Sequence, residues 1–172
     1  MLFLVSLFWN ICLTRKGPEE VPAQYALIGL IVIGKIVLVL GVSYVLQTGL
    51  TALSQIIQIV AWAATTGLLS AVALLLIGKF ERFIPTFGAI LGTDFIVTGL
   101  YGLIFLAVRL TGIDLDPGLG KLLNILVQLW TIYIVGFIMH RALDLNIGLG
   151  IAVSLVISIF SQFLSFQMAN LT

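Results

Sequence analysis

The sequence predicts an all-α integral membrane protein: five transmembrane helices preceded by an N-terminal interfacial amphipathic helix. Three observations predict it. Apolar residues make up 61% of the 172 and charged residues only 9%, with a mean hydropathy of +1.25. A water-soluble domain carries about 25% charge, so this chain has too little polar surface to coat a soluble globule. Its apolar residues fall in runs of about 20, the length that crosses about 30 Å of hydrocarbon at about 1.5 Å per residue. The links between runs are too short and too apolar to fold separately, so residues 1–172 form a single membrane domain. The net charge of +1 gives no nucleic-acid footprint. One cysteine, Cys12, excludes an intrachain disulfide.

The first element, Met1 to Leu13, is apolar but too short to span. Ser6, Asn10 and Thr14 fall four apart and draw a thin polar stripe on one helical face. Trp9 lies beside the stripe, and Trp favours the membrane interface. Residues 1–14 therefore read as a helix lying in the headgroup region, with a re-entrant segment or a sixth span as the alternative. The basic residues follow this apolar run rather than precede it, and no small-x-small site follows, so it reads as retained and not as a cleaved signal.

Residues 15–24 form a hinge, "RKGPEEVPAQ". Gly17 is expected to end the in-plane helix and Pro18 to forbid its continuation. Glu19 and Glu20 follow Pro18 as in the first turn of a helix, and Pro22 aims the chain into the first span. Arg15 and Lys16 followed by Glu19 and Glu20 predict local salt bridges at the cytoplasmic surface. The same four residues could serve as a docking epitope for a partner.

The five spans are predicted at about 25–46, 53–77, 87–108, 122–139 and 147–166. Orientation follows from the positive-inside rule. Arg15, Lys16, Lys79, Arg82 and Arg141 fall on one side, and Arg109 and Lys121 on the other. The N-terminus is therefore expected in the cytoplasm and the C-terminus outside. "TGIDLDPGLGK" is the longest polar stretch, and its Asp-Pro-Gly reads as a turn. Asp114 and Asp116 are far short of the oxygen set a calcium loop needs.

Two charges fall within predicted hydrocarbon, Lys35 in span one and Asp94 in span three. Both spans enter from the same side. Counted from Tyr25 and Phe87, the two residues lie at depths of about 15 Å and about 10 Å, a gap the lysine stem covers. Three readings compete for them: an ion pair pinning two helices, an ion or proton relay, or a snorkelling lysine beside an aspartate in a wet vestibule. Gly88 and Gly92 are four apart near the start of span three, a small-xxx-small face for close packing within the protomer or in a dimer. Span five carries Gly150, Ser154, Ser158, Ser161 and Ser165 along one face. That face reads as a packing seam, or as a subunit interface or polar path. Gln55, Gln58, Trp62, Thr65 and Thr66 in span two, and Asn124, Gln128 and Thr131 in span four, either hydrogen-bond across helices or line a narrow conduit.

His140, the only histidine, ends span four beside Arg141. With Cys12 it makes a poor metal set. No Ser-His-Asp, Cys-His or paired-acid arrangement is evident, so the sequence predicts no catalytic residues, no metal and no cofactor.

The N-terminal amphipathic stretch, the Arg15–Pro22 hinge and five short-looped spans together resemble small bacterial membrane proteins related to the Yip1 family. That resemblance implies a bacterial inner-membrane location with the N-terminus cytoplasmic. The chain lacks the long cytoplasmic N-terminal region of the eukaryotic members, so their GTPase association does not carry over. The expected function is non-enzymatic: a membrane-embedded accessory or scaffold subunit. Its partners would be the lipid bilayer and other membrane proteins, or further copies of itself. The alternative is a small channel or transporter in which Lys35 and Asp94 gate or couple ions.

Overall fold

The computed structural model describes residues 2–46, 51–111 and 117–169. Among these there are six α-helices and no strand: α1 (Leu2–Cys12), α2 (Tyr25–Leu46), α3 (Ala52–Leu76), α4 (Phe83–Thr111), α5 (Pro117–Leu143) and α6 (Ile147–Ala169). Helices α2 to α6 are each long and apolar enough to cross a membrane, with mean hydropathies of 1.8 to 2.5 over their spanning windows. The protein is an integral membrane protein. Short 3₁₀ turns at Pro18–Glu20 and Phe80–Arg82 precede α2 and α4. Helices α2, α4 and α6 start at the end of the bundle that carries the hinge, and α3 and α5 finish there. We call this the hinge end.

Two spans are longer than hydropathy alone predicts. Helix α4 begins at Phe83 rather than near Phe87, and α5 runs from Pro117 to Leu143 rather than from 122 to 139. Both extensions place a proline, Pro85 or Pro117, in the first helical turn. There a missing N–H costs nothing, because those donors have no intrahelical partner. The Pro-Gly of the predicted turn therefore opens α5, while Asp114 and Asp116 lie outside the described residues.

Helix α4 is the centre of the bundle, contacting α1, α2, α3 and α5, and α6 packs on α3 and α5. The α5–α6 crossing is set by two glycines. A Cβ on Gly150 would sit 2.5 Å from the Gly136 carbonyl oxygen, and one on Gly136 would sit 2.9 Å from the Ile151 Cα. Backbone meets backbone there, so no side chain could yield. Helix α2 is peripheral. Its buried apolar residues among those described are Leu27 and Ile31, and Leu30, Ile33, Val37 and Tyr44 face outward.

The N-terminal helix differs from expectation in its ending. Gly17 is extended (φ −107°, ψ 172°) and does not cap it. The cap is Thr14, at φ 56°. The Thr14 N–H donates to the Ile11 carbonyl (2.8 Å) and the Arg15 N–H to the Asn10 carbonyl (2.9 Å), the paired bonds of a Schellman ending. Gly78 after α3 (φ 75°) and Asp144 after α5 (φ 53°) hold the same left-handed position. Helix α1 also rests on protein. Leu7, Phe8, Ile11 and Cys12 are all buried, and α4 is the helix they pack on. Phe8 lies against Gly92, and the Cys12 thiol points at the Thr93 carbonyl. These contacts are a full turn apart on α1 but adjacent on α4, so α1 crosses α4 rather than running along it.

Candidate functional site

Lys35 lies ten residues into α2 and Asp94 eleven residues into α4, depths of about 15 and 16 Å from the hinge end. The earlier start of α4 thus removes the depth gap that hydropathy left between them. The Lys35 ammonium donates a hydrogen bond to Asp94 Oδ2. It also lies over the indole ring of Trp62 on α3, 3.9 Å from the centroid. The two charged side chains are only 12% and 16% exposed. An ammonium in hydrocarbon is costly. Here a carboxylate and an aromatic face share the relief, and they join three helices at one point.

Asp94 has a second aspect. It lies in the wall of a cavity of about 240 Å³ formed by α3, α4, α5 and α6. Asn124, Gln128 and Thr131 reach it from α5, Ser158 and Gln162 from α6, and Trp62 and Thr66 from α3. Helix α4 adds Thr98 and Tyr101 beside Asp94. Asn124 and Gln162 form an exposed rim, while Thr66, Ile90 and Ile157 are buried at its depth. Lys35 is not in the wall: it stands behind Asp94, on the α2 side. Of the polar residues the sequence offered, Trp62, Thr66, Asn124, Gln128 and Thr131 converge on this space. Thr131 also donates back to the Val127 carbonyl (2.9 Å); Thr65, which donates to the Ala61 carbonyl (2.8 Å), is outside the wall, and Gln55 is buried elsewhere on α3. Thr98 and Tyr101 were not anticipated. Their signal was present in the spacing of four and seven residues from Asp94, which puts all three on one helical face.

The small residues serve packing inside the protomer. Gly88 receives Val21 of the hinge and Gly92 receives Phe8. On α6, Gly150 meets α5, and the Ser154 hydroxyl donates to the Ile132 carbonyl (2.9 Å). Ser161 is fully buried and accepts from Thr66 (3.0 Å), and Ser165 is buried against its own helix. Ser158 alone of this stripe faces the cavity.

The hinge end carries a second, larger vestibule of about 650 Å³, walled by Glu19, Glu81, Arg82, Thr86, His140, Arg141 and Asp144 among others. The hinge pairs only partly within itself: Lys16 bonds Glu20 (2.5 Å), but Glu19 reaches across to Arg141 (2.9 Å). Arg15 is exposed and has no ion-pair partner among the described residues. A clasp closes the other side. Lys79 donates to the Leu143 carbonyl (3.0 Å), and Arg82 to the Ala142 carbonyl (3.3 Å). Both pair with Asp144, so two cations cap the C-terminus of α5. The hydrogen bond from Lys79, reinforced by the charges of Arg82 and Lys79, holds the Asp144 carboxyl below its ordinary value of 3.8. His140 Nδ1 bonds the Leu145 carbonyl. Thr86 is 1% exposed, and its hydroxyl has no hydrogen-bond partner among the described residues. Among those residues no group of three or more His, Cys, Asp or Glu could hold a metal.

No protein-family model matches the chain, and no match is found among curated proteins or solved structures.

Proposed function

We propose that this chain is a non-enzymatic membrane protein of the channel or transporter class, which admits a solute to the polar cavity beside Asp94. The observation that carries this reading is the lining of that cavity. Amides and hydroxyls are expensive in hydrocarbon unless they are hydrogen-bonded. Here they come from four helices and face a shared space. A space of that polarity, beside an intramembrane carboxylate, suits water or a hydrogen-bonding solute. The vestibule at the hinge end supports the same reading. Its Thr86 and the cavity's Ile90 are one helical turn apart on α4, about 6 Å.

The test is flux. Purified protein in liposomes, challenged separately with glycerol, urea, K⁺ and protons, should pass at least one faster than protein-free vesicles, and Asp94→Asn should change that rate. If none of the four moves faster, the reading fails.

An accessory or scaffold role is the second reading, consistent with the resemblance to the Yip1 family. It is favoured by an apolar groove of about 410 Å³ between α2 and α4, floored by Gly41, Gly99 and Gly102. Small residues there leave room for a lipid chain or a partner's span. Under this reading the protein co-purifies with a stoichiometric partner in mild detergent and shows no flux.

A further inference from the structure

We infer that the cavity beside Asp94 is a site for a small uncharged hydrogen-bonding solute, such as a short polyol or amide, and that it excludes ions of either sign. The inference rests on the channel or transporter reading and names the chemistry of that site.

The charge balance argues first. Among the described residues, Asp94 is the only charged side chain in the cavity wall. Its charge is already matched from behind by Lys35, which the wall does not include. An entering cation would have to share a carboxylate with the lysine, leaving net positive charge in hydrocarbon. An entering anion would meet the carboxylate directly. A neutral solute disturbs neither, and burying an extra unmatched charge is what hydrocarbon penalises most.

The lining argues second. Apart from Asp94 and the Trp62 indole, its polar groups are amides and hydroxyls, which both donate and accept. Asn124 and Gln162 stand at the rim, Gln128 and Ser158 further in. Groups of this kind match hydroxyl and amide functions on a solute, while the one carboxylate offers an additional acceptor. Size argues third. At about 240 Å³ the space lies below the usual range for drug-sized ligands and has the volume of about eight liquid waters.

Lys35 is on this account a positioning residue, whose ammonium balances the Asp94 carboxylate from behind and leaves it electrically silent toward the cavity. Its removal should therefore change selectivity rather than simply abolish entry. That distinguishes it from a lysine with only a structural role.

The experiment uses Ser158→Cys in the full-length protein. The native Cys12 is 2% exposed, and burial pushes its thiol up to about 12, so the new thiol is the reactive one. Three methanethiosulfonate reagents of similar size are compared: hydroxyethyl (neutral), trimethylammonium-ethyl (cationic) and sulfonatoethyl (anionic). Each labelling rate is divided by that reagent's rate with a free thiol in solution. The neutral reagent should be favoured over both charged ones by about ten-fold or more. Adding Lys35→Met should raise the relative rate of the cationic reagent by about ten-fold. Adding Lys35→Met with Asp94→Asn, which removes both charges, should restore the neutral preference. This double change also covers the case in which Lys35→Met alone does not fold. If the cationic or anionic reagent labels the Ser158→Cys protein as fast as the neutral one, the inference is overturned while the solute-site reading stands. If no reagent labels it, the cavity does not admit solutes and the reading itself fails.

Discussion

Thr14 holds a left-handed backbone conformation at the end of α1. A β-branched side chain at φ 56° is a rare combination, which the Schellman ending of α1 imposes. Thr14→Gly should relieve it and raise the stability of the folded protein by about 1 kcal/mol, read as a higher midpoint of thermal unfolding in detergent. A lower midpoint would show that the Thr14 side chain contributes more than its backbone costs. The sequence hid this cap. Gly17 and Pro18 are strong punctuation, and nothing about a threonine announces a left-handed backbone. Asp144 holds the same position after α5 and adds an electrostatic role. Its folded pKa is depressed, so its contribution to stability is complete above 3.8 and is lost as pH falls through the lower folded value. Thermal midpoints followed from about pH 5 to about pH 3 should fall further for the native protein than for Asp144→Asn. Equal losses would mean that the clasp with Lys79 and Arg82 does not respond to this carboxyl.

At the scale of elements, close approach decides which helices meet. A Cβ on Gly92 would lie 2.2 Å from the Phe8 ring, so Gly92→Ala must push that ring out and loosen α1. The cost should be about 1–3 kcal/mol, as for other overpacked sites. Combining it with Phe8→Ala should give less than the sum of the two losses, because each change already breaks the same contact. Strict additivity in a thermal or protease-sensitivity assay would mean the two residues do not touch. The number of spanning helices was legible, since apolar runs of spanning length are the strongest signal a membrane sequence carries. The small-residue faces were legible as close-packing faces, but their partners were not. GxxxG spacing marks a face without saying what fills it, and here Gly88 and Gly92 receive a hinge valine and an α1 phenylalanine rather than another span. The longer starts of α4 and α5 were missed because a proline reads as a break unless it falls in the first turn.

Across the whole molecule, the Lys35–Asp94 pair binds a peripheral helix to the central one. Lys35→Met or Asp94→Asn alone leaves one unmatched charge at mid-membrane, at a cost of about 2.5–3.5 kcal/mol on insertion scales. The double variant leaves none and should recover most of the lost thermal stability. A double variant no more stable than the worse single one would sink the pairing. This contact was legible because two charges at similar depth on parallel spans have few other places to go. The cavity was legible only in pieces. Helical spacing aligned Asn124, Gln128 and Thr131 on one face, and could equally have aligned Asp94, Thr98 and Tyr101. Which faces look at one another depends on helix neighbours, and short loops do not encode those.

The pair also has a history during synthesis. Lys35 and Asp94 are 59 residues apart in the chain. At about 5–20 residues per second, the lysine is made about 3–12 s before the aspartate exists. For that interval α2 carries an unmatched ammonium, and Trp62, which also contacts it, arrives less than halfway through. Helix α2 has the highest hydropathy of the five spans, 2.5, and no other charge. That surplus of hydrocarbon lets it wait in the membrane for a counterion still on the ribosome.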